Sequence, residues 1–436
     1  MKKGPTLYKK AKKIIPGGTM LLSKKPELFL PDNWPSYFKK AKGTKIWTLD
    51  NEKLTDMCMM GVGTNSLGYS NDQVDKKVAE VIKNGNLSTL NCPEEVELAE
   101  ELINMNPWAG MVRFARTGGE ANAIAIRIAR AASSKDGVAI CGYHGWHDWY
   151  LSVNHNSSND ELSNHLIPGL KPIGVPKNLK NSAYTFNYND YDTLEKLVKH
   201  KNIGVIKMEV IRNFCPDKNF LQKIRALATK NNIVLIFDEC TSGFRETYGG
   251  IYKKFNVEPD IVIYGKTLGN GYAITSVVGR REVMEYAQDT FISSTFWTER
   301  IGPTAAIKSL EIMKKIKSWE IVTSIGQKVQ NGWKKITNDY KIPITYSAIP
   351  AVSSFTINCE NAIYYKTYIT QEMLKKGILA NTNFYACVEH TQEEVDEYLS
   401  ILNDLFRTIS KCESGEINIK DLLDGPVCET GFGRLN

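Results

Sequence analysis

The 436-residue sequence lacks the marks of several large protein classes. Its nine cysteines are widely spaced and include no C-x-x-C pair. Neither a disulfide framework nor a structural zinc site is indicated, so free thiols in a reducing compartment are expected. No stretch approaches the roughly 18 apolar residues of a membrane span. The lysines near the start are not followed by the apolar run of a signal peptide. A cytoplasmic protein without membrane partners is the expectation. Internal repeats and low-complexity tracts are also missing. His144 and His147 do not have H-E-x-x-H spacing and enclose no acid, so no metal site is expected.

A formal charge of +7 raises the question of nucleic acid. The lysines are scattered among Asp and Glu, which reads as solvated surface. The densest basic stretch, Lys2 to Lys13, is broken by Gly4 and Pro5 and lacks interleaved aromatics, so no nucleic-acid partner is predicted. The chain is 42% hydrophobic and 24% charged, the balance of an ordinary globular protein, and its length allows two or three domains.

From about Asn71 to Ala306 helix-like and strand-like segments alternate, the pattern of an α/β fold with a mostly parallel sheet. Residues 71–306 are therefore read as a large domain. Residues 1–70 and 307–436 differ in texture and are read as combining into a small domain. Short apolar runs predict buried strands at Gly137 to Cys141, Ile203 to Glu209, Ile233 to Asp238 and Asp260 to Tyr264, with a helix over Phe220 to Lys230. A further strand is predicted at Val352 to Ile357. Open α/β sheets bind ligands beyond the carboxyl ends of their strands, so chemistry is sought there.

The run Ile233-Val-Leu-Ile-Phe-Asp238-Glu239 delivers an acid to a strand end. Taken alone, Asp238 reads equally as an exposed residue or a helix cap. The next strand leads into Gly265-Lys266-Thr267-Leu268-Gly269. A P-loop would need glycine at position 260, where Asp260 stands, so that match fails. What remains is a lysine in a crevice opposite a carboxylate. Pyridoxal phosphate needs that pair: an amine to form a Schiff base and an anion to keep the pyridine nitrogen protonated. Arg116-Thr117-Gly118-Gly119-Glu120-Ala121 opens a helix-like run, where backbone N–H groups can meet a phosphate. By itself a Gly-Gly turn before a helix is weak evidence, for which a structural explanation is the better one. Tyr143, in Tyr143-His144-Gly145-Trp146-His147, can lie on a cofactor face or pack in the core.

In order along the chain, Pro16-Gly17-Gly18, Thr117-Gly118-Gly119-Glu120-Ala121, Tyr143-His144-Gly145, Phe237-Asp238-Glu239, Gly243-Phe244-Arg245 and Gly265-Lys266 resemble the class III aminotransferases, in the glutamate-1-semialdehyde aminomutase-like branch. The resemblance implies the type I fold of pyridoxal-phosphate-dependent transferases, with a large, mostly parallel sheet and a small α+β domain made from both chain ends. It makes Lys266 the Schiff-base lysine and Asp238 the partner of the ring nitrogen. It assigns Thr117, Gly118 and Gly119 to the phosphate and Tyr143 to the ring face. Glu209 matches the acid of the family's Glu-Pro motif without its proline. Thr241 stands near the ring hydroxyl, where glutamine or methionine is usual. Thr295 matches the threonine that reaches the phosphate of a neighbouring subunit, which implies a homodimer with shared active sites.

The implied activity moves an amino group from an amino-acid donor to a small carbonyl acceptor. An intramolecular aminomutase is the alternative, and a cofactor-binding protein without turnover is a third reading. In the aminomutase branch an arginine after Pro-Gly-Gly recognises the substrate carboxylate. Ser23 and Lys24 are the nearest equivalents here, and the aromatic wall expected near Met59 to Gly63 is absent. A lysine is a poor exchange for a bidentate arginine fork, which disfavours glutamate semialdehyde as substrate.

Overall fold

The computed structural model describes residues 2–156, 160–211 and 213–431. The chain divides into two compact units, Met1–Asn71 with Glu320–Asn436, and Asp72–Trp319. In the first unit, strands β1 (Phe38–Lys42), β2 (Lys45–Thr48) and β3 (Lys53–Asp56) form an antiparallel ladder, which β13 (Ile378–Leu379) extends by pairing parallel to β3. A second sheet joins β11 (Ile344–Tyr346), β12 (Val352–Ile357) and β14 (Asn383–Tyr385). The first sheet joins residues 38–56 to residues 378–379, which explains why neither chain end reads as a domain by itself, whereas the second is drawn from residues 344–385 alone.

The second unit is built on seven strands: β4 (Met111–Ala115), β5 (Gly137–Cys141), β6 (Ala183–Thr185), β7 (Ile203–Met208), β8 (Val234–Asp238), β9 (Ile261–Tyr264) and β10 (Thr275–Gly279). Their order across the sheet is β4-β10-β9-β8-β7-β5-β6. β10 runs antiparallel to both of its neighbours, and β9, β8, β7, β5 and β6 are mutually parallel. Since β4 and β9 both oppose β10, six strands point one way. Their carboxyl ends therefore share one edge, the edge where loops and helix N-termini converge.

β5, β7, β8 and β9 are buried throughout, as continuous apolar runs with helices on the sheet faces require. The helix Gly118–Ser133 buries Ala121, Ile124, Ala125, Ile128 and Ala129, a stripe at helical spacing, in one cluster with Ile140, Val205, Ile236, Ile263 and Val277. Each isoleucine or valine of this cluster contributes on the order of 1.5–3 kcal/mol when withdrawn from water. The alanines keep the stripe flat, so the helix start is held close over the sheet edge.

All nine cysteines are free thiols. No helix among the described residues is long and apolar enough to cross a membrane, and no described cluster of His, Cys, Asp and Glu suits a metal ion.

Candidate active site

The predicted site residues other than Thr295 lie along the carboxyl edge of the second unit's sheet or on the helix start beside it. Thr117 ends the loop after β4 and caps the helix Gly118–Ser133 through a capping box: its hydroxyl accepts from Glu120 N, and Glu120 returns a carboxylate to Thr117 N at 2.8 Å. The same carboxylate accepts from Arg116 N at 3.0 Å. This leaves the Gly118 and Gly119 amides at the positive end of the helix, with no hydrogen bond among the described residues. A Cβ built on Gly119 would lie 2.8 Å from His147 Cε1, and one built on Gly145 would lie 2.9 Å from Gly119 Cα. Only glycine permits this close approach.

The turn after β5 is pinned from several sides. Gly142 has φ of 107°, and a Cβ there would sit 2.7 Å from Glu209 Oε2. Gly142 N donates to His165 Nδ1 at 3.1 Å, Tyr150 Oη donates to Gly142 O at 2.9 Å, and Tyr143 N donates to Glu209 Oε2 at 3.0 Å. Burial, then the His144 charge, pushes His165 down to about 4, which keeps its ring neutral and able to accept. The Tyr143 ring is half-buried and meets Tyr150 edge-on, with centroids 6.2 Å apart. Glu209, one residue past β7, is buried. Its bond to Tyr143 N makes it a fixer of the tyrosine's backbone.

Asp238 closes β8 and is buried. Its Oδ2 lies 2.9 Å from His144 Nδ1 and 3.6 Å from Lys207 Nζ, and its Oδ1 accepts from Cys240 N at 3.1 Å. Burial opposes ionisation, but Lys207, His144 and the Cys240 amide together outweigh it and hold Asp238 far below the ordinary carboxylate range. It is a permanent anion.

β9, the parallel neighbour of β8, places Ile263 opposite Asp238, and Lys266 follows three residues later. Lys266 has φ of 44°, a left-handed conformation that costs a non-glycine residue energy and is found where a site constrains the chain. Its Nζ donates to Thr241 Oγ1 at 2.7 Å. The turn at Gly118 and the turn at Lys266 approach the same sulfur: Cβ atoms on Gly118 and Gly265 would lie 3.7 and 3.1 Å from Cys240 Sγ. An amine, a buried anion and a helix start with open amides thus lie around the Cys240 turn. Thr295 stands apart, exposed in a turn over Thr295–Thr298 whose carbonyl at Thr295 accepts from Thr298 Oγ1 at 2.8 Å.

The sequence of residues 31–404 matches the family model described as aminotransferase class-III. The chain belongs to the class-III aminotransferases, a family of pyridoxal-phosphate enzymes. It is 32% identical to glutamate-1-semialdehyde 2,1-aminomutase of Ruminiclostridium cellulolyticum over 93% of this chain and 98% of that protein. It is 29% identical to 3-aminobutyryl-CoA aminotransferase of Cloacimonas acidaminovorans over 93% of this chain and 97% of that protein. Among solved structures, the pyridoxal-phosphate internal aldimine form of the FumI protein of Sphingopyxis sp. MTA144 aligns with a TM-score of 0.84 at 21% identity, covering 97% of this chain and all of that one. The fold is accordingly the type I transferase fold.

The residues of this class-III aminotransferase suit the cofactor. The Gly118 and Gly119 amides can bind a phosphate, a side chain at Gly119 would crowd the space beside His147, and buried Asp238 is held ionised, the state that a protonated ring nitrogen would require of its partner. His147 Nδ1, beside Gly119, is buried without a hydrogen-bond partner among the described residues. Three further side chains touch the predicted set: Lys207, which the sequence did not single out, and His144 and His147, which the sequence presents only as a failed metal pair beside Tyr143. Lys207 did leave a sign, because a lysine inside an apolar central strand demands a buried partner.

Proposed function

We propose that this enzyme catalyses transamination between an amino-acid donor and a small carbonyl acceptor, with Lys266 as its proton-transferring base. The observation that carries this reading is the placement of Lys266 Nζ, 2.7 Å from Thr241 Oγ1, at the strand end next to buried Asp238. When bound, pyridoxal phosphate supplies a protonated ring that draws electrons from bonds at the donor's amine-bearing carbon and keeps the amino group for the acceptor. Lys266 takes the proton from that carbon and returns it. Asp238 holds the proton on the ring nitrogen, Tyr143 covers the ring face, and Glu209 keeps Tyr143 in place. Thr117 caps the helix whose Gly118 and Gly119 amides bind the phosphate. Thr241 positions the lysine amine.

In this reading Thr295 completes the phosphate site of a second copy, in a homodimer with shared active sites. The exposure of Phe291 at 84% and Phe296 at 71%, flanking Thr295, supports a covered surface there. The unpaired thiols support a cytoplasmic location.

Lys266→Ala tests the assignment. The variant should lose turnover, and borohydride should no longer fix the cofactor to the chain; a coloured, active variant rejects the role. An intramolecular aminomutase is the second reading, favoured by the 32% identical relative. Incubation with one labelled substrate and no external donor separates the two, because only a mutase turns over under those conditions.

A further inference from the structure

Lys207 lies inside β7, in register with Ile140 of β5 and Ile236 of β8. It is completely buried, and its Nζ has no hydrogen-bond partner among the described residues. The charge it meets is Asp238, at 3.6 Å. Burying an ammonium in an apolar layer is costly even when it is paired, and Met or Ile would fill the same volume without that cost. A lysine retained there needs an electrostatic reason.

We propose that Lys207 is a positioning residue that weakens the hold of Asp238 on the proton of the cofactor's ring nitrogen, limiting the electron demand of the ring. This rests on the reading that Asp238 faces that nitrogen. A carboxylate already bound by an ammonium is a weaker base than one paired with a neutral imidazole, and a nearby positive charge also disfavours a protonated ring. Four groups face Lys207: Asp238, Glu209 and Cys240, which favour its charge, and His144, whose protonation that charge opposes. Glu209 is engaged with Tyr143 N. His144 points Nδ1 at Asp238 and has Nε2 3.2 Å from Cys141 O. Both nitrogens thus meet acceptors, a geometry that suits imidazolium, while burial and the Lys207 charge push its pKa down. Lys207 and His144 compete to be the cation beside one anion.

The test uses the cofactor-loaded full chain as wild type, Lys207→Met and Lys207→Arg, with Lys207→Gln as the neutral variant if the Met form does not fold. Nitrogen NMR follows the His144 ring, and absorbance follows the bound cofactor across pH. In the neutral variant the His144 midpoint should rise by about one unit or more, and the cofactor's absorbance midpoint should rise with it. Lys207→Arg should keep both near their wild-type positions. Unchanged midpoints in a folded neutral variant overturn the proposal. Asp238→Asn separates this failure from failure of the underlying reading: if it leaves the cofactor's spectrum unaltered, Asp238 does not face the ring nitrogen.

Discussion

Lys266 Nζ and Thr241 Oγ1 lie 2.7 Å apart, so a hydroxyl from the loop after β8 fixes the amine that follows β9. The two loops meet because their strands are parallel neighbours with Asp238 and Ile263 in register. Lys266 enters this contact from a left-handed backbone, φ of 44°. The side chain's direction is set by the turn, and its end point by the threonine.

Removing the hydroxyl should cost about tenfold in the rate of the donor half-reaction, the equivalent of one hydrogen bond of about 1–1.5 kcal/mol. Thr241→Val is the informative change because it keeps the shape, while Thr241→Ser should retain most of the rate. Stopped-flow absorbance with a single amino donor measures both. Equal rates for Val and wild type would mean that the bond does not position Lys266.

Gly119→Ala places a methyl group 2.8 Å from His147 Cε1, inside the distance that real carbon contacts adopt. Either the His147 ring or the helix start must then give way, which disturbs the proposed phosphate site. Cofactor affinity should fall by about tenfold or more, while circular dichroism reports an unchanged fold. Dialysis against graded pyridoxal phosphate gives the affinity, and an unaltered value would remove Gly119 from the phosphate site.

Four strands of the large sheet, β5, β7, β8 and β9, were legible because they are short apolar runs separated by turn residues, whereas β4, β6 and β10 were not predicted; β5 and, in the other unit, β12 follow the expected bounds. Asp238 and Lys266 could be paired because each sits at the end of such a run. His144 was hidden in a stretch that reads equally well as core packing, since its partner Asp238 is 94 residues away in sequence. No local pattern records a contact of that kind. Lys207 was visible as an anomaly, but its partner depends on strand register, which a single sequence does not specify.

The exposed turn at Thr295 carries the proposal of shared active sites. Phe296→Asp puts a charge into the apolar surface around it and should shift the chain from dimer to monomer in sedimentation velocity. Thr295→Ala should leave the dimer intact and weaken cofactor binding by about tenfold. A Phe296→Asp variant that sediments as wild type, with cofactor affinity preserved in both, would place the interface elsewhere.

Glu239 supplies a pH dependence of defined sign. It is fully buried, and burial pushes its pKa from 4.5 up to about 7 against the opposing bonds from Ser242 Oγ and Tyr252 N. In the unfolded chain the carboxyl ionises near its ordinary value. Below pH 4.5 both states are protonated and the fold keeps its full stability. Between pH 4.5 and 7 the unfolded state alone gives up its proton, so stability falls as pH rises; above 7 the loss is complete. The fall attributable to this one group is about 3 kcal/mol. Glu239→Gln keeps a carbonyl oxygen for Ser242 or Tyr252 and never ionises, so its stability should not fall over this interval. Urea midpoints of the cofactor-free chain from pH 4.5 to 8 should diverge between the two proteins as pH rises. Parallel curves would mean that Glu239 is ionised in the fold well below pH 7.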